Sequence, residues 1–329
     1  MLAVALVRLL CSCTLGQTVE LFAQPELAFF LIHAETGKLP VATEPVPEQT
    51  QPPTEPPTEM PTEPPTEAPT IPAAPQDSAV FASDDTDFVE LNYSAKRSPD
   101  IEALLTQSLD WDLAGNEPTV LIFHTHGTEA FTPVSGAYYE EEGGEYRTTD
   151  EDHNMISLGA ELARLLNAAG IPTVQDTTYY DYPDYLASYD NARIGLQQQL
   201  QKYPTVKLVI DLHRDAAEYE NGTQWATEAI INGEKSAQIM LVMGTDSYYN
   251  HPGWEENLSV ALKLQAMMEK THPGSTRPLD LRKQRFNQDL LPGAIIAEIG
   301  AAGNTHQEAM NAISVLAEAI IQLSKGANT

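Results

Sequence analysis

"TVLIFHTHGTEA", residues 119–130, carries the reading that decides the fold. Its first part, "TVLIF" (119–123), is a short unbroken apolar run rich in β-branched side chains, the pattern of a strand buried on both faces. It runs directly into His124 and His126, with Glu129 close behind. Similar runs recur downstream as "VKLVIDL" (206–212), "IMLVM" (239–243) and "AIIAEI" (294–299). Helical spacing appears between them: Leu158, Leu162, Leu165, Leu166 and Ala169 share a face, with Gly170 as a stop and Pro172 beyond it. "ENLSVALKLQAMMEK" (256–270) is a further helix. The last one opens with Thr305 and Glu308 at capping-box spacing and continues through Ile313, Leu316 and Ile320. Strand and helix in alternation predict an α/β domain, a mostly parallel sheet with helices on both faces, over residues 80–329.

The remainder of the 329 residues reads differently. Hydrophobic residues make up 42% of the chain, slightly low for this length, which points to an unfolded portion. That portion is residues 46–79, whose "PPTEPPTEMPTEPPTEAPT" (52–70) is a P-T-E repeat with almost nothing to bury. Proline favours extended polyproline II and the glutamates repel one another. The segment therefore reads as a semi-rigid spacer of ~3.1 Å per residue, on the order of 90 Å. Ahead of it, "MLAVALVRLLCSCTLG" within residues 1–20 reads as a truncated export anchor, too short for a comfortable membrane span. Residues 21–45 contain a second apolar stretch, "LFAQPELAFFLIHAETG" (21–37), which reads as a membrane-proximal segment.

Charge and cysteine content exclude some chemistry. A formal net charge of -29 leaves no basic surface to displace counterions, so nucleic acid is not a partner. Cys11 and Cys13 lie near the N-terminus, so the predicted domain holds no disulfide and no thiolate metal site. Any metal must sit on histidine and carboxylate.

Such residues stand at the carboxyl ends of the predicted strands, where open α/β sheets bind ligands: His124 after "LIF", His213 after "VIDL", Glu298 inside "IIAEIG". Two imidazoles and one carboxylate make the ligand set of a catalytic zinc, with the fourth position left for water. A further carboxylate is then wanted to move the water's proton to the leaving group, and Glu298 is the candidate. A histidine after a strand is, taken singly, more often a satisfied partner of the core than a ligand, so His126 or His153 alone proves nothing. "DLHRDA" (211–216) is open to a structural reading as an ion-pair knot around His213, with Asp211, Arg214 and Asp215 orienting a ligand or substrate. Glu298 in an apolar strand is harder to dismiss, because an unpartnered buried carboxylate is costly.

At these residues the sequence resembles the stage II sporulation protein P family, cell-wall hydrolases of endospore-forming bacteria. The resemblance is carried by "VLIFHTHGTEAF" (120–131), "YPDYLASYDNARIGLQQQLQKYPTVKLVIDLHRDA" (182–216), "MLVMGTD" (240–246), "HPGWEENLSVALKLQ" (251–265) and "RPLDLRKQRFNQDLLPGAIIAEIGAAGNTHQEA" (277–309), with "ELAFFLIHAETG" (26–37) nearer the start. It implies a fold similar to the zinc-dependent N-acetylmuramoyl-L-alanine amidases, acting on peptidoglycan at the amide between muramic acid and L-alanine and also credited with cutting peptide cross-links. It further implies a lytic transglycosylase partner, stage II sporulation protein D, and a membrane scaffold, at work during engulfment of the forespore. The expected place is extracytoplasmic and tethered to the membrane. Residue by residue, the resemblance puts zinc on His124, Glu129 and His213, and proton transfer on Glu298. His126 is a neighbour or alternate ligand, and the start of the following helix (Glu151, Asp152, His153) is the alternative source of the carboxylate.

"RPLDLRKQRFNQ" (277–288) gathers arginines in an acidic chain, so Arg277, Arg282, Arg285, Asn287 and Gln288, with Arg214, are candidate contacts to substrate carboxylates. Their bland reading is surface ion pairing on a loop. A non-catalytic wall-binding scaffold of the engulfment complex is the competing function. The presence of every expected metal and proton-transfer residue argues against it.

Overall fold

The computed structural model describes residues 81–326 apart from 96, 110, 135–145 and 218–222. The anchor, membrane-proximal segment and spacer expected at 1–20, 21–45 and 46–79 lie outside the described residues. Among the described residues, no helix is long and apolar enough to cross a membrane.

In chain order the elements are β1 (Leu91–Tyr93), α1 (Ile101–Thr106), β2 (Val120–Phe123), α2 (Met155–Ala168), β3 (Thr173–Gln175), α3 (Ser188–Lys202), β4 (Leu208–Asp215), β5 (Ala229–Ile231), β6 (Glu234–Ser236), β7 (Ile239–Met243), α4 (Trp254–Thr271), β8 (Leu279–Leu281), β9 (Ala294–Ala301) and α5 (His306–Gly326). Seven strands form one sheet in the order β1-β8-β7-β9-β4-β2-β3, while β5 and β6 make a separate antiparallel hairpin. The only antiparallel neighbours in the main sheet, among the described residues, are β7 and β9. Thus β3, β2, β4 and β9 run one way and β7, β8 and β1 the other.

Strand side chains alternate between faces, and here the alternation sorts two cores. Val120, Ile122, Leu208, Ile210, Leu212, Ala297 and Ile299 pack with Leu158 and Leu162 of α2, Leu262 of α4 and Leu316 of α5. Leu121, Phe123, Val209 and Ala294 face the other way, onto Ala192 and Leu196 of α3. Each fully buried leucine or isoleucine contributes about 2 kcal/mol through removal from water. The three-helix face therefore carries most of the cohesion, and the α3 face is free to carry chemistry.

The α/β architecture agrees with the sequence reading, and the differences lie at element ends and in short pieces. β4 runs on through His213 to Asp215, because β9 continues to pair beside it. α3 was not expected: its sequence, "SYDNARIGLQQQLQK", is polar and buries only Ser188, Ala192 and Leu196, a stripe one residue wide. β1, β3 and β8 are three residues each and leave too little pattern to read. The last helix does open on the expected reciprocal cap, with Glu308 N–H donating to Thr305 Oγ1 at 3.2 Å and Thr305 N–H to Glu308 Oε2 at 3.0 Å.

One buried charge belongs to the fold rather than to the site. Lys263 of α4 is 4% exposed and donates from Nζ to the carbonyl of Leu104, at 2.8 Å, and to that of Leu105. Those carbonyls end α1, where no further helical turn supplies donors. Burial pushes the Lys263 amine down from 10.5 to about 8. Lys263→Met should lower stability by about 1–3 kcal/mol, since the Leu105 carbonyl loses its donor, read as a lower urea midpoint with unchanged slope. Between about pH 8 and the unfolded value of about 10.4 the unfolded chain binds more protons than the fold, so Lys263 makes stability rise with pH across that window. The variant should lose that component of the rise. An unchanged midpoint and an unchanged pH profile would contradict this role.

Candidate functional site

The site begins with strand register. β4 and β9 are parallel neighbours with His213 opposite Glu298, so both side chains leave the sheet on the same face, the α3 face. Asp211, two residues before His213, shares that face and sits opposite the end of β2, where Phe123 is its register partner. Its carboxylate takes Thr125 N–H at 2.8 Å and Thr125 Oγ1–H at 2.6 Å. This double bond bends the chain leaving β2 across β4 and delivers the next residues above His213.

His126 is the residue delivered. Its ring meets His213 edge-on at 5.2 Å between centroids, stacks on Tyr185 at 4.6 Å and meets Tyr189 edge-on at 5.6 Å. Glu129, in the same turn, places Oε2 3.6 Å from His213 Nδ1 and accepts Arg214 N–H at 3.1 Å. Its other oxygen lies 3.4 Å from Arg147. On the far side of His126, Asp181 Oδ2 is 4.0 Å from Nδ1 and accepts from Thr128 Oγ1 at 2.5 Å and Arg147 at 3.1 Å. Arg147 also lies over the Tyr185 ring, 4.4 Å from its centroid.

The expected leading ligand, His124, is elsewhere. Strand alternation carries Val120 and Ile122 toward α2, and His124 follows them to that face. Its Nδ1 lies 3.2 Å from the Leu212 carbonyl and its Nε2 2.9 Å from the Gln175 side-chain nitrogen, so the pattern requires Nδ1–H as donor and Nε2 as acceptor. The ring rests on the bare backbone of Gly159, where a Cβ would come within 2.7 Å of Nε2. Burial lowers its pKa to about 4, and both nitrogens are engaged. The correction is therefore specific: the histidine that meets His213 is His126, because the alternation of β2 sends His124 through the sheet. The alternative carboxylates also stay apart. Glu151 and Asp152 are exposed on a short turn, and His153 pairs with Asp150 at 2.8 Å.

Three of the expected substrate contacts are buried and engaged within the protein. Arg214 is 2% exposed, donates to the carbonyls of Ala130 at 2.9 Å and Tyr146 at 3.2 Å, and stands 4.0 Å from Glu129. Its hydrogen bond to the Ala130 carbonyl locks the Glu129 segment in place. Asn287, in left-handed conformation with φ 60°, accepts from Arg193 at 3.2 Å and donates to the Tyr189 carbonyl at 2.9 Å. Gln288 accepts Gly244 N–H at 2.7 Å and donates to the Val242 carbonyl at 2.9 Å. Arg285 is half-buried, paired with Asp289 at 3.4 Å and placed over Tyr249. Arg277 pairs with Asp215 at 2.8 Å and Arg282 with Asp280 at 2.7 Å.

Electrostatics follow from burying carboxylates and imidazoles together. Burial lowers the His126 pKa to about 3. Burial would also lower His213, but Asp211 and Glu129 on either side win and raise it well above its ordinary value. Burial would raise Glu129, yet His213, Arg214 and Arg147 hold it well below the usual carboxylate range. Glu298 has no such support: burial, with Glu129 and Asp215, pushes it up to about 8 against the opposing pull of His213 and Arg282.

Three buried polar atoms here lack a hydrogen-bond partner: His126 Nδ1, His213 Nε2 and Glu298 Oε2. His213 Nε2 is 2.8 Å from Asp211 Oδ1, a close charge contact whose direction misses that of a hydrogen bond. Native proteins leave few such atoms without a reason. Among the described residues, no three His, Cys, Asp or Glu side chains are arranged as they stand to hold a metal ion. The donor types nevertheless fit one. Arg147, Asp181, Tyr185 and Tyr189 were not foreseen as neighbours of the site; the dense "YYDYPDYLASYD" (179–190) was the available signal for all but Arg147.

A sequence profile of the family described as Stage II sporulation protein P matches residues 26–321. The Stage II sporulation protein P of Bacillus subtilis (strain 168) is 25% identical over 220 residues, 64% of this chain and 52% of that protein, so the chain spans about half the length of the curated relative it matches. Among solved structures, N-acetylmuramoyl-L-alanine amidase AmiC2 of Nostoc punctiforme aligns at 14% identity and TM-score 0.38, over 65% of this chain and 97% of that one. The amidase Ami1 from Mycobacterium smegmatis aligns at 12% and 0.39 over 66% and 98%. The CwlD amidase from Clostridioides difficile, solved with the GerS lipoprotein, aligns at 11% and 0.39 over 64% and 98%.

The burial of Arg214 separates its two readings. Arg214→Met leaves the buried carbonyl of Ala130 without the guanidinium donor, which should cost about 1–3 kcal/mol, measured as a lowered thermal midpoint of the substrate-free chain. A residue serving only to grip substrate would leave that midpoint where it was.

Proposed function

The chain belongs to the Stage II sporulation protein P family, and on that footing we propose that it is a zinc-dependent peptidoglycan hydrolase of sporulation. The scissile bond of this proposal is the amide between N-acetylmuramic acid and L-alanine, with peptide cross-links as a further substrate. The observation that supports it is the convergence of His126, Glu129, His213 and Glu298 on one face of the sheet, with atoms that lack a hydrogen bond on three of them. His126, Glu129 and His213 would hold the ion, two imidazoles and a carboxylate as catalytic zinc prefers. When bound, zinc supplies a Lewis acid and an activated water to the amide.

The chain's own groups supply the rest. Glu298, whose Oε2 lacks a hydrogen-bond partner, would in its ionised form take a proton from water and return it to the leaving nitrogen. Asp211 holds the turn that carries His126 and flanks His213, fixing two proposed ligands with one carboxylate. Tyr185 covers the His126 ring and keeps bulk water from it. Thr128 and Arg147 hold Asp181 beside Nδ1 of the same ring.

In this reading the enzyme works outside the cytoplasm during engulfment, tethered to the membrane, with stage II sporulation protein D and a membrane scaffold as partners. The spacer expected from the sequence at 46–79 would give it reach into the wall. A non-catalytic wall-binding scaffold is the second reading. It is favoured by the engagement of Glu129 with Arg147 and Arg214.

One experiment separates the two. Zinc-supplemented full chain is incubated with purified peptidoglycan, and new termini and bound zinc are measured together. Glu298→Gln should lose hydrolysis by about 100-fold or more with zinc retained, and His126→Ala should lose both. Hydrolysis undiminished in Glu298→Gln would sink the assigned role, and binding without cleavage by the unaltered chain would hand the function to the scaffold reading.

A further inference from the structure

A second concave feature lies beside the site, with a volume of about 360 Å³, lined by Asp176, Thr178, Tyr179, Tyr180 and the α3 residues Asn191, Ile194, Gly195, Gln198 and Gln199. We propose that it is a sugar subsite, taking an N-acetylated hexosamine of the glycan strand while the peptide lies toward the arginines. This rests on the proposed substrate and adds where its neutral half is held.

The cavity is built rather than incidental. Tyr180 is 7% exposed and lies on α3 over Gly195, where a Cβ would fall 1.8 Å from its hydroxyl. That hydroxyl donates to Asp176 Oδ2 at 2.7 Å, and Gln199 donates to the same oxygen at 3.0 Å. Asp176 also takes Thr178 N–H at 3.0 Å and its hydroxyl at 2.7 Å. The floor is thus rigid before any ligand arrives. The α3 residues 191, 194, 195, 198 and 199 recur at helical spacing, so a single face of the helix lines the opposite wall.

Continuity with the site is direct. Tyr179, in the cavity wall, has its ring against Gly127, where a Cβ would meet it at 3.0 Å. Gly127 lies between His126 and Glu129. Tyr180 faces the cavity, while its neighbour Asp181 faces His126 at 4.0 Å. A ligand spanning the two places would cross only this short wall.

Lining chemistry identifies the occupant. The phenols, the Thr178 hydroxyl and the side-chain nitrogens of Asn191 and Gln199 are spent on the wall itself, which leaves the Gln198 amide and the amide oxygens of Asn191 and Gln199 to hydrogen-bond a ligand, beside the apolar surface of Ile194, 57% exposed. No lysine or arginine lines the cavity, and Asp176 is a carboxylate, so an anionic peptide end finds no counter-charge there. A sugar ring with hydroxyls and an acetamido group suits it better. The volume is at the lower end of ligand pockets, about 300–1,000 Å³, which suits one ring and not several. Cations stand elsewhere, with Arg147 at Glu129 and Asp181, and Arg277, Arg282 and Arg285 on a separate segment.

Chitotetraose, which carries the N-acetylated sugar without peptide or scissile amide, is the probe. Its binding to the full chain is followed by amide and methyl NMR shifts and needs neither zinc nor turnover, so it reports on this subsite even if the hydrolase reading fails. Shifts should centre on Thr178, Asn191, Ile194 and Gln198. The exposed double substitution Ile194→Ala with Gln198→Ala should weaken binding about tenfold or more. In a chain that hydrolyses, it should raise KM for peptidoglycan with kcat held. Absence of shifts at these residues at millimolar probe, or equal affinity in the double variant with an unchanged melting temperature, would overturn the subsite. Neither result touches the zinc and Glu298 test.

Discussion

The Asp211 carboxylate is the joint on which the site depends. It takes two hydrogen bonds from Thr125, one from backbone and one from side chain, and it stands against the ring of His213. Through the first pair it bends the chain leaving β2 back over β4; through the second contact it holds one imidazole under the other. Parallel pairing of β4 with β9 then adds Glu298 beside His213 at no further cost in ordering, because the ladder that holds the sheet also holds the site. Four buried polar groups from three segments meet because one buried carboxylate and one strand register make them meet.

Burial gives this arrangement its chemistry. Glu129, Asp211 and Glu298 crowd a single imidazole, and a low-dielectric surrounding raises the cost of every charge left unanswered. Arg214 answers Glu129 through its backbone N–H and Arg147 through its guanidinium. Glu298 feels the pull of His213 and Arg282, yet its Oε2 accepts no hydrogen bond. Such atoms are expensive to keep for structural reasons alone, which is the physical argument that the cluster is held for function. Opposite the site, the three-helix face buries most of the core, so the fold does not depend on Glu298.

Much of the architecture was legible because the long elements carry strong periodicity. Strands β2, β4, β7 and β9, helices α2 and α4, and the Thr305–Glu308 cap all follow from spacing. α3 escaped because a helix that buries one narrow stripe keeps a polar sequence, and it is the helix that walls the site. Within "HTHGTE" the residue types were readable but the face was not settled. Counting alternation from Val120 and Ile122 puts His124 on the α2 side, yet the turn that returns His126 depends on Thr125 and Asp211, which are 86 residues apart. Arg214, Asn287 and Gln288 read as binding residues because charge and amide groups look alike in sequence whether they grip a ligand or a backbone carbonyl. Only burial and partners tell these uses apart.

Anomalous diffraction at the zinc edge, from crystals of the zinc-loaded chain, is the measurement closest to the central claim. A single peak about 2.0–2.2 Å from His126, Glu129 and His213 is expected, with His124 on the far side of the sheet and outside coordination distance. A peak on His124, or no peak among these three residues at full zinc loading, would contradict it.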